Sequence, residues 1–183
     1  MMQWVPLMPL LLVGIGGFAL MLVDAFGRED SELATLSAVI LFAAGAIAAA
    51  LAMGKGPAGL PTSLAPFIVV DGLTQFFNVT ICVGAGMSAL LAGGYLHEHA
   101  LDRGEFYALL LLSAFGAMVL AAAADLLSVF IGLETMSLGV YCMVAFRRGS
   151  PRAAEGGMKY FLLGSFAAAI LLFGVYRVWQ ANR

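Results

Sequence analysis

The sequence predicts an all-α integral membrane protein with six transmembrane helices. Hydrophobic residues make up 62% of the 183 residues and charged residues only 11%, whereas a soluble domain is about half apolar and about a quarter charged. Uncharged apolar runs of about 20 residues, the length that one helical crossing requires, recur along the chain. These runs are rich in Ala, Leu and Gly and lack the period-two alternation of a membrane β-barrel. Residues 1–183 are therefore predicted to form a single membrane domain.

Charged residues and helix breakers bound each apolar run. The first run ends at Asp24, and the second lies between the segments DAFGRED and GKGPAGLP. The third begins behind Asp71, the fourth follows HEHALDRGE, and the fifth begins directly after Asp125, a typical N-cap residue. Ser150 and Pro151 suit the N-cap and first position of the last helix, so that helix is expected to begin before its apolar run. The predicted transmembrane helices are residues 4–23, 33–53, 72–96, 106–124, 126–146 and 160–176.

The Lys and Arg residues of the short loops predict the orientation of the chain. Basic residues are enriched in cytoplasmic loops, and Lys159 is left out because it lies at a helix edge. The larger number of basic loop residues falls on the cytoplasmic side if the N-terminus lies outside the cytoplasm, so this orientation is favoured. With that orientation the basic residues inside are Arg28, Arg103, Arg147, Arg148 and Arg152, and those outside are Lys55, Arg177 and Arg183. The net charge of -2, with the few basic residues at helix ends, argues against a nucleic-acid partner.

Glu134 is an acidic residue near the middle of the fifth apolar run, LLSVFIGLETMSLGVYCMVAF. Inserting an acidic side chain at that depth costs about 2.5–3.5 kcal/mol even on the lenient scale. Ser137 and Tyr141 share its helical stripe, so their hydroxyls are within reach to hydrogen-bond it. Two interpretations stay open, a protonated structural carboxyl bonded to those hydroxyls and a proton-pathway residue, and intramembrane acids favour the second.

Three further charged residues lie near predicted helix starts. Glu155 and Lys159 have the i, i+4 spacing of a helical ion pair, and the sequence alone favours an interfacial pair without function. Glu105 follows Asp102 at the spacing of a capping box, which requires no function. The sequence has no Cys cluster, nucleotide-binding loop or haem motif, so neither a cofactor nor a metal ion is expected in the chain itself.

The chain resembles a known family over residues 1 to about 174. The segment GEFYALLLLSAFGAMVLAAAADLLSVFIGLETMSLGVYCMVAFRR, followed by AAEGGMKYFLLGSFAAAILLFG, is similar to the antiporter-like membrane-arm subunits of bacterial NADH-quinone oxidoreductase, respiratory complex I, and specifically to subunit N. The earlier segments LVDAF and DGLTQFF resemble the first and third helices of that subunit. The stretch DLLSVFIGLETMSLGVY carries the most specific part of the resemblance.

The resemblance implies a role in proton translocation and assigns residues to it. Glu134 matches the family's acid on helix five, whose proton affinity is modulated by a lysine on a broken seventh helix. Lys159 matches the lysine on helix six, Glu155 the acid before it, and Glu105 the acid that opens helix four. The family's partners are the other membrane-arm subunits and the peripheral-arm subunits of complex I, in a bacterial inner membrane.

The redox cofactors implied by the resemblance are NADH, FMN, iron–sulfur clusters and quinone, all of them elsewhere in the complex. The chain is thus expected to be part of an oxidoreductase without redox chemistry of its own. The family bundle is longer and consists of two inverted repeats. The six helices are therefore expected to correspond to its first part, with the remaining helices on a further segment or another chain. Two alternatives stay open: a subunit of a multi-subunit cation/proton antiporter, and a nonpumping structural remnant.

Overall fold

A computed structural model describes residues 2–26, 30–54, 60, 62–98 and 104–182. A short 3-10 helix, Met2–Leu7, precedes the α-helices of the described part. These are α1 Met8–Ala25, α2 Asp30–Met53, α3 Gly72–Glu98, α4 Gly104–Ala121, α5 Leu126–Val144 and α6 Pro151–Ala181. Six helices of the described residues are long and apolar enough to cross a membrane. The predicted fold class, an all-α membrane protein with six transmembrane helices, is confirmed, and the chain is a multi-pass membrane protein.

Polar side chains fix the first residues of α3, α5 and α6. The Asp125 carboxylate accepts a hydrogen bond of 2.8 Å from the backbone N–H three residues further on, and Asp71 does the same at 2.8 Å before α3. The Ser150 hydroxyl caps α6, and Pro151 occupies its first turn. Because Pro already has the φ angle of a helix and has no N–H to satisfy there, this start is favourable. Helix α6 therefore begins before its apolar run, as the Ser-Pro pair predicts.

The α4–α5 turn departs from the predicted helix boundaries. Helix α4 ends at Ala121, so the prediction that it continues to residue 124 is wrong. The backbone of residues 122–124 pairs instead with the segment before α3. The Val69 N–H donates to the Ala122 carbonyl at 2.8 Å, and the Ala124 N–H donates to the Phe67 carbonyl at 2.9 Å. These two bonds satisfy groups that a longer helix would have used internally.

Helices α1 to α4 enclose the core of the described bundle. Helix α2 packs along α3, α1 packs against both α4 and α2, and α4 also contacts α3. Most of the largest fully buried side chains come from α1, α2 and α4, among them Leu20, Leu33, Leu41, Tyr107, Leu111 and Met118. Helix α5 packs on α4, and α6 packs chiefly on α5. The last two helices therefore form an outer layer, and the side chains of α6 are mostly exposed.

Successive membrane helices run in opposite directions, which divides their ends between two membrane faces. We call the face with the 3-10 helix, residues 62–71 and residues 122–125 the first face. The start of α4 and the α5–α6 loop, residues 145–150, lie at the opposite, second face. The backbone pairing of residues 67–69 with residues 122–124 agrees with this division, since both segments lie at the first face.

Candidate functional site

Glu134 lies near the centre of α5, well inside the apolar part of the bundle. Helix α5 begins at Leu126, so the rise of about 1.5 Å per residue puts Glu134 about 12 Å from the helix start. The helix is about 28 Å long by the same rise. Insertion of an acidic group at this depth costs about 2.5–3.5 kcal/mol. The position is therefore one where a carboxyl needs a specific reason to be present.

Close packing against α4 fixes the rotation of α5 about its axis. A Cβ atom added to Gly116 of α4 would lie 2.8 Å from the Cα of Met136, and one added to Gly132 of α5 would lie 2.6 Å from the backbone nitrogen of Leu120. The Ser113 hydroxyl also donates a 3.1 Å hydrogen bond to the Met136 carbonyl. We call this contact the α4–α5 seam. Because backbones meet at the seam, α5 cannot turn without separating from α4.

The carboxyl group of Glu134 has no hydrogen-bond partner among the described residues. The side chain is half-buried, and its Oε1 atom is buried without a donor or an acceptor. The hydrogen bonds that Ser137 and Tyr141 are within reach to make to this carboxyl do not form in the described structure. Tyr141 instead packs edge-to-face on α6, with ring centroids 4.8 Å from Tyr160 and 5.9 Å from Phe161. The Tyr141 ring therefore lies in the contact between α5 and α6.

The stripe of α5 that carries Glu134 faces α6. Leu127, Glu134 and Tyr141 are spaced by seven residues and so share one side of the helix. Tyr141 reaches α6, where its hydroxyl fills the space beside Gly164. Leu127 lines a groove of about 610 Å³ together with apolar side chains of α6, among them Phe173. Glu134 therefore lies between an aromatic contact on one side and an apolar groove on the other.

Glu155 and Lys159 form the predicted ion pair in the first turns of α6. The Lys159 Nζ atom lies 2.5 Å from Glu155 Oε1, and the two side chains are 70% and 63% exposed. Exposed i, i+4 pairs contribute about 0.3–0.5 kcal/mol to stability. The geometry is that of the interfacial pair, and it leaves both groups accessible to water or to another chain.

The structure does not bring Lys159 and Glu134 together. Gly157 of α6 lies against the backbone of Ala145 of α5, and this contact sets the relative height of the two helices. Counted from it, Glu134 lies much further toward the first face than Lys159. Their separation along the helix axes is roughly 14 Å at about 1.5 Å per residue. A proton passing between them therefore needs intermediate carriers.

Glu105 lies at the second face, away from Glu134. It occupies the first turn of α4, and its two carboxylate oxygens lie 3.0 and 3.3 Å from one guanidinium nitrogen of Arg148 in the α5–α6 loop. The capping-box partner considered for Glu105, Asp102, lies outside the described residues, as do Arg28, Lys55, Arg103 and Arg183. Sequence reasoning counted Arg148 only as a loop charge. No local signal links it to a residue 43 positions earlier.

No group of three or more His, Cys, Asp or Glu side chains that could hold a metal ion occurs among the described residues. Cys82 is buried and Cys142 exposed, and both are free thiols. The two ion pairs lie toward the second face, and Glu134 is isolated within the bundle.

Part of the chain matches a family model, and nearly all of it is similar to known membrane subunits. Residues 123–182 match the family described as NADH:quinone oxidoreductase/Mrp antiporter, TM. NADH-quinone oxidoreductase subunit N 1 of Sorangium cellulosum is 49% identical, with 98% of this chain and 38% of the relative covered. Subunit N of Trichlorobacter lovleyi is 34% identical over 94% of this chain and 35% of the relative.

A solved structure agrees with the sequence comparisons. A chain of respiratory complex I from Thermus thermophilus with bound aureothin matches with a TM-score of 0.71 and 32% identity, over 91% of this chain and 35% of that chain. The chain thus spans somewhat more than a third of the length of these relatives. The predicted resemblance is confirmed: over nearly all of its residues, the chain is similar to NADH-quinone oxidoreductase subunit N.

Proposed function

We propose that this chain is a membrane-arm subunit, or the N-terminal part of one, of a proton-translocating NADH-quinone oxidoreductase. The observation that carries the proposal is the 49% identity to subunit N across 98% of the chain. In this function the complex transfers electrons from NADH to quinone and moves protons across the membrane. The chain contributes to proton movement, while NADH, FMN, iron–sulfur clusters and quinone are bound by other subunits.

Within that function, Glu134 is the proposed proton carrier. A carboxyl can take up and release a proton, and the intramembrane position of this one carries a cost that a purely structural residue has no reason to incur. The unpartnered Oε1 atom supports the assignment, because no donor or acceptor among the described residues competes for it. Glu155 and Lys159 are proposed to exchange protons at the second face, with carriers from other chains or bound water bridging to Glu134.

The proposed partners are the other membrane-arm subunits and the peripheral-arm subunits of complex I. The exposed apolar side of α6, which includes Leu163, Phe166 and Phe173, is suited to lipid or to neighbouring membrane helices. The proposed location is the bacterial inner membrane, with the N-terminus and the first face outside the cytoplasm. Residues 1–183 are proposed to form one membrane domain.

A second candidate is a subunit of a multi-subunit cation/proton antiporter. The description of the matching family names Mrp antiporters beside NADH:quinone oxidoreductases, so the match of residues 123–182 is compatible with either. Such an assembly exchanges protons for another cation and has no NADH or quinone partner. A nonpumping structural role is the third possibility, in which Glu134 carries no proton.

Purification of the assembled complex separates these functions. We would extract the tagged chain from native membranes in a mild detergent and identify the proteins and cofactors that accompany it. Flavin, iron–sulfur subunits and NADH-dependent quinone reduction are expected. Recovery with membrane subunits alone, together with cation-dependent proton exchange in vesicles, would replace the proposed function with the antiporter.

A further inference from the structure

The start of α4 and the α5–α6 loop are joined by two adjacent contacts at the second face. Arg148 binds both carboxylate oxygens of Glu105 through one nitrogen, at 3.0 and 3.3 Å. One residue further along α4, the ring of Phe106 packs edge-to-face on Phe146, with centroids 5.5 Å apart. A charged and an aromatic contact therefore tie the same two segments. We call these four residues the α4 anchor.

The anchor is connected directly to the start of α6. Gly149 follows Arg148 with a φ angle of 82°, a left-handed conformation that favours glycine and turns the chain sharply. Ser150 then caps α6. On the other side of the loop, Gly157 of α6 lies against Ala145, where an added Cβ would come within 2.6 Å of the alanine Cβ. The position of the loop therefore sets where the first turns of α6 lie.

We propose that Glu105 and Arg148 are positioning residues, whose ion pair holds the first turns of α6, and that Glu105 is not itself a proton carrier. This inference rests on the proposed function, because the groups being positioned are Glu155 and Lys159. Both oxygens of Glu105 face a permanent cation, so the carboxylate is occupied in a charge-assisted contact. Arginine does not give up its proton in proteins, which makes the pair a poor route for proton transfer.

The solvent exposure of the Glu105–Arg148 pair makes the strength of its contact dependent on salt. Glu105 and Arg148 are 47% and 68% exposed, and exposed ion pairs are screened by salt. Such a contact biases the position of α6 without locking it. The ionic part of the anchor is therefore expected to weaken as the salt concentration rises, while the aromatic part remains.

Cross-linking measures the anchor without relying on proton pumping. The chain carries Phe106→Cys and Phe146→Cys together with Cys82→Ala and Cys142→Ala. Membranes that contain the complex are treated with a short bifunctional maleimide, and the rate of cross-linking reports how often the two segments meet. With the rings removed, the ion pair is the remaining side-chain contact that we describe between them. We expect Glu105→Gln and Arg148→Gln each to slow cross-linking about twofold to fivefold, the range for an exposed ion pair. Arg147→Gln removes the same charge one residue away and should leave the rate of cross-linking unchanged.

Charge exchange separates positioning from proton transfer. The double variant Glu105→Arg with Arg148→Glu keeps the ion pair but leaves no carboxyl at position 105. We expect it to restore the rate of cross-linking in the two-cysteine chain. In the chain with its natural cysteines and both rings, we expect it to restore proton pumping per NADH oxidised. Restored cross-linking without restored pumping would overturn the proposal, as would single variants that cross-link at the parental rate. Glu134→Gln, measured alongside, tests the proposed function by itself, since it does not touch the anchor.

Discussion

Glu134 is the residue on which the proposed proton transfer depends. Glu134→Gln keeps the size of the side chain and removes its titratable proton. We expect the complex to assemble while proton pumping falls by about tenfold or more, because positioned proton-transfer groups typically contribute about 10²–10⁴ in rate. Pumping is measured as the pH change driven by NADH in membrane vesicles. Thr135→Val is the control, since that hydroxyl donates within its own helix to the Ile131 carbonyl at 2.8 Å; unchanged pumping in Glu134→Gln would contradict the assignment.

Asp125, at the first face, provides a test of pH dependence outside the membrane-spanning segments. The Ser128 hydroxyl and its backbone N–H hold the pKa of Asp125 below its ordinary value. The cap therefore contributes its full stability above about pH 4, the ordinary range of an Asp carboxyl, and loses it as the pH falls through the lower pKa of the folded state.

The Asp125→Ala variant should accordingly lower the free energy of unfolding by about 1 kcal/mol at pH 7, the usual effect of removing an N-cap. The difference from the parent chain should shrink as the pH is lowered below about 4, because protonation of the parent's carboxylate removes the cap there too. Thermal unfolding in detergent at pH 7 and along a series of acidic pH values measures this. A difference that grows as the pH falls would show that the cap has another basis. Asp125→Asn retains a capping oxygen and should behave more like the parent at pH 7.

Sequence reasoning predicted the pair within one helix but not the contacts between helices. The depth of Glu134 and the Glu155–Lys159 pair follow from spacing along one helix, which is a local property. The orientation of Tyr141 does not, because a shared stripe leaves the ring free to contact either Glu134 or the neighbouring helix. The space beside Gly164 and the rings of α6 determine that choice, and these contacts exist only once α5 and α6 have packed.

Helices α4 and α5 depend on small residues along the α4–α5 seam. Gly116→Ala brings a Cβ into the backbone of Met136, where no side-chain movement relieves the overlap. We expect a destabilisation of about 1–3 kcal/mol, typical of overpacking in a well-packed interior, measured by thermal unfolding in detergent.

Gly84→Ala is the matched control, because an added Cβ there meets nothing within 4 Å. It should be neutral or slightly stabilising, since Ala forms helices better than Gly by up to about 1 kcal/mol. Equal stability of the two variants would mean that the seam is more deformable than its close contacts indicate. Gly132→Ala tests the reciprocal contact with Leu120 and should follow Gly116→Ala.

Some helix boundaries can be predicted from neighbouring residues in the sequence, and others depend on contacts with distant segments. The starts of α5 and α6 follow from Asp125, Ser150 and Pro151, whose side chains act within three residues of themselves. The end of α4 was predicted too late, because the alanines at 122–124 carry no turn signal of their own. Their backbone pairs with residues 67–69, about 55 positions away in the chain, and only the folded bundle reveals that partner.

The whole molecule has an orientation that the proposed function makes testable. With the N-terminus outside, Ser63→Cys at the first face should react with a membrane-impermeant maleimide added to intact cells, and Arg152→Cys at the second face should not. Both side chains are exposed in the bundle, so membrane sidedness is what distinguishes them. Permeabilised cells, in which both should react, provide the control. The reverse labelling pattern would invert the proposed orientation.

At the scale of the bundle, the two membrane faces are held by different kinds of contact. The second face has the Glu105–Arg148 ion pair, made by side chains. The first face has the pairing of residues 67–69 with residues 122–124, made by main-chain atoms alone. Only the first kind of contact can be removed by changing a charge.

The main-chain pairing also determines which substitutions the first face tolerates. Its two donors are the N–H groups of Val69 and Ala124, and every amino acid except proline supplies that group. Proline at either position removes one of the two bonds, whereas other side chains at these positions leave both donors in place. A library that randomises residues 67–69, 123 and 124, leaving the buried Ala122 unchanged, should therefore return many different sequences that still assemble, with proline depleted at positions 69 and 124. The connection between the loop before α3 and the turn before α5 can thus persist while its sequence changes.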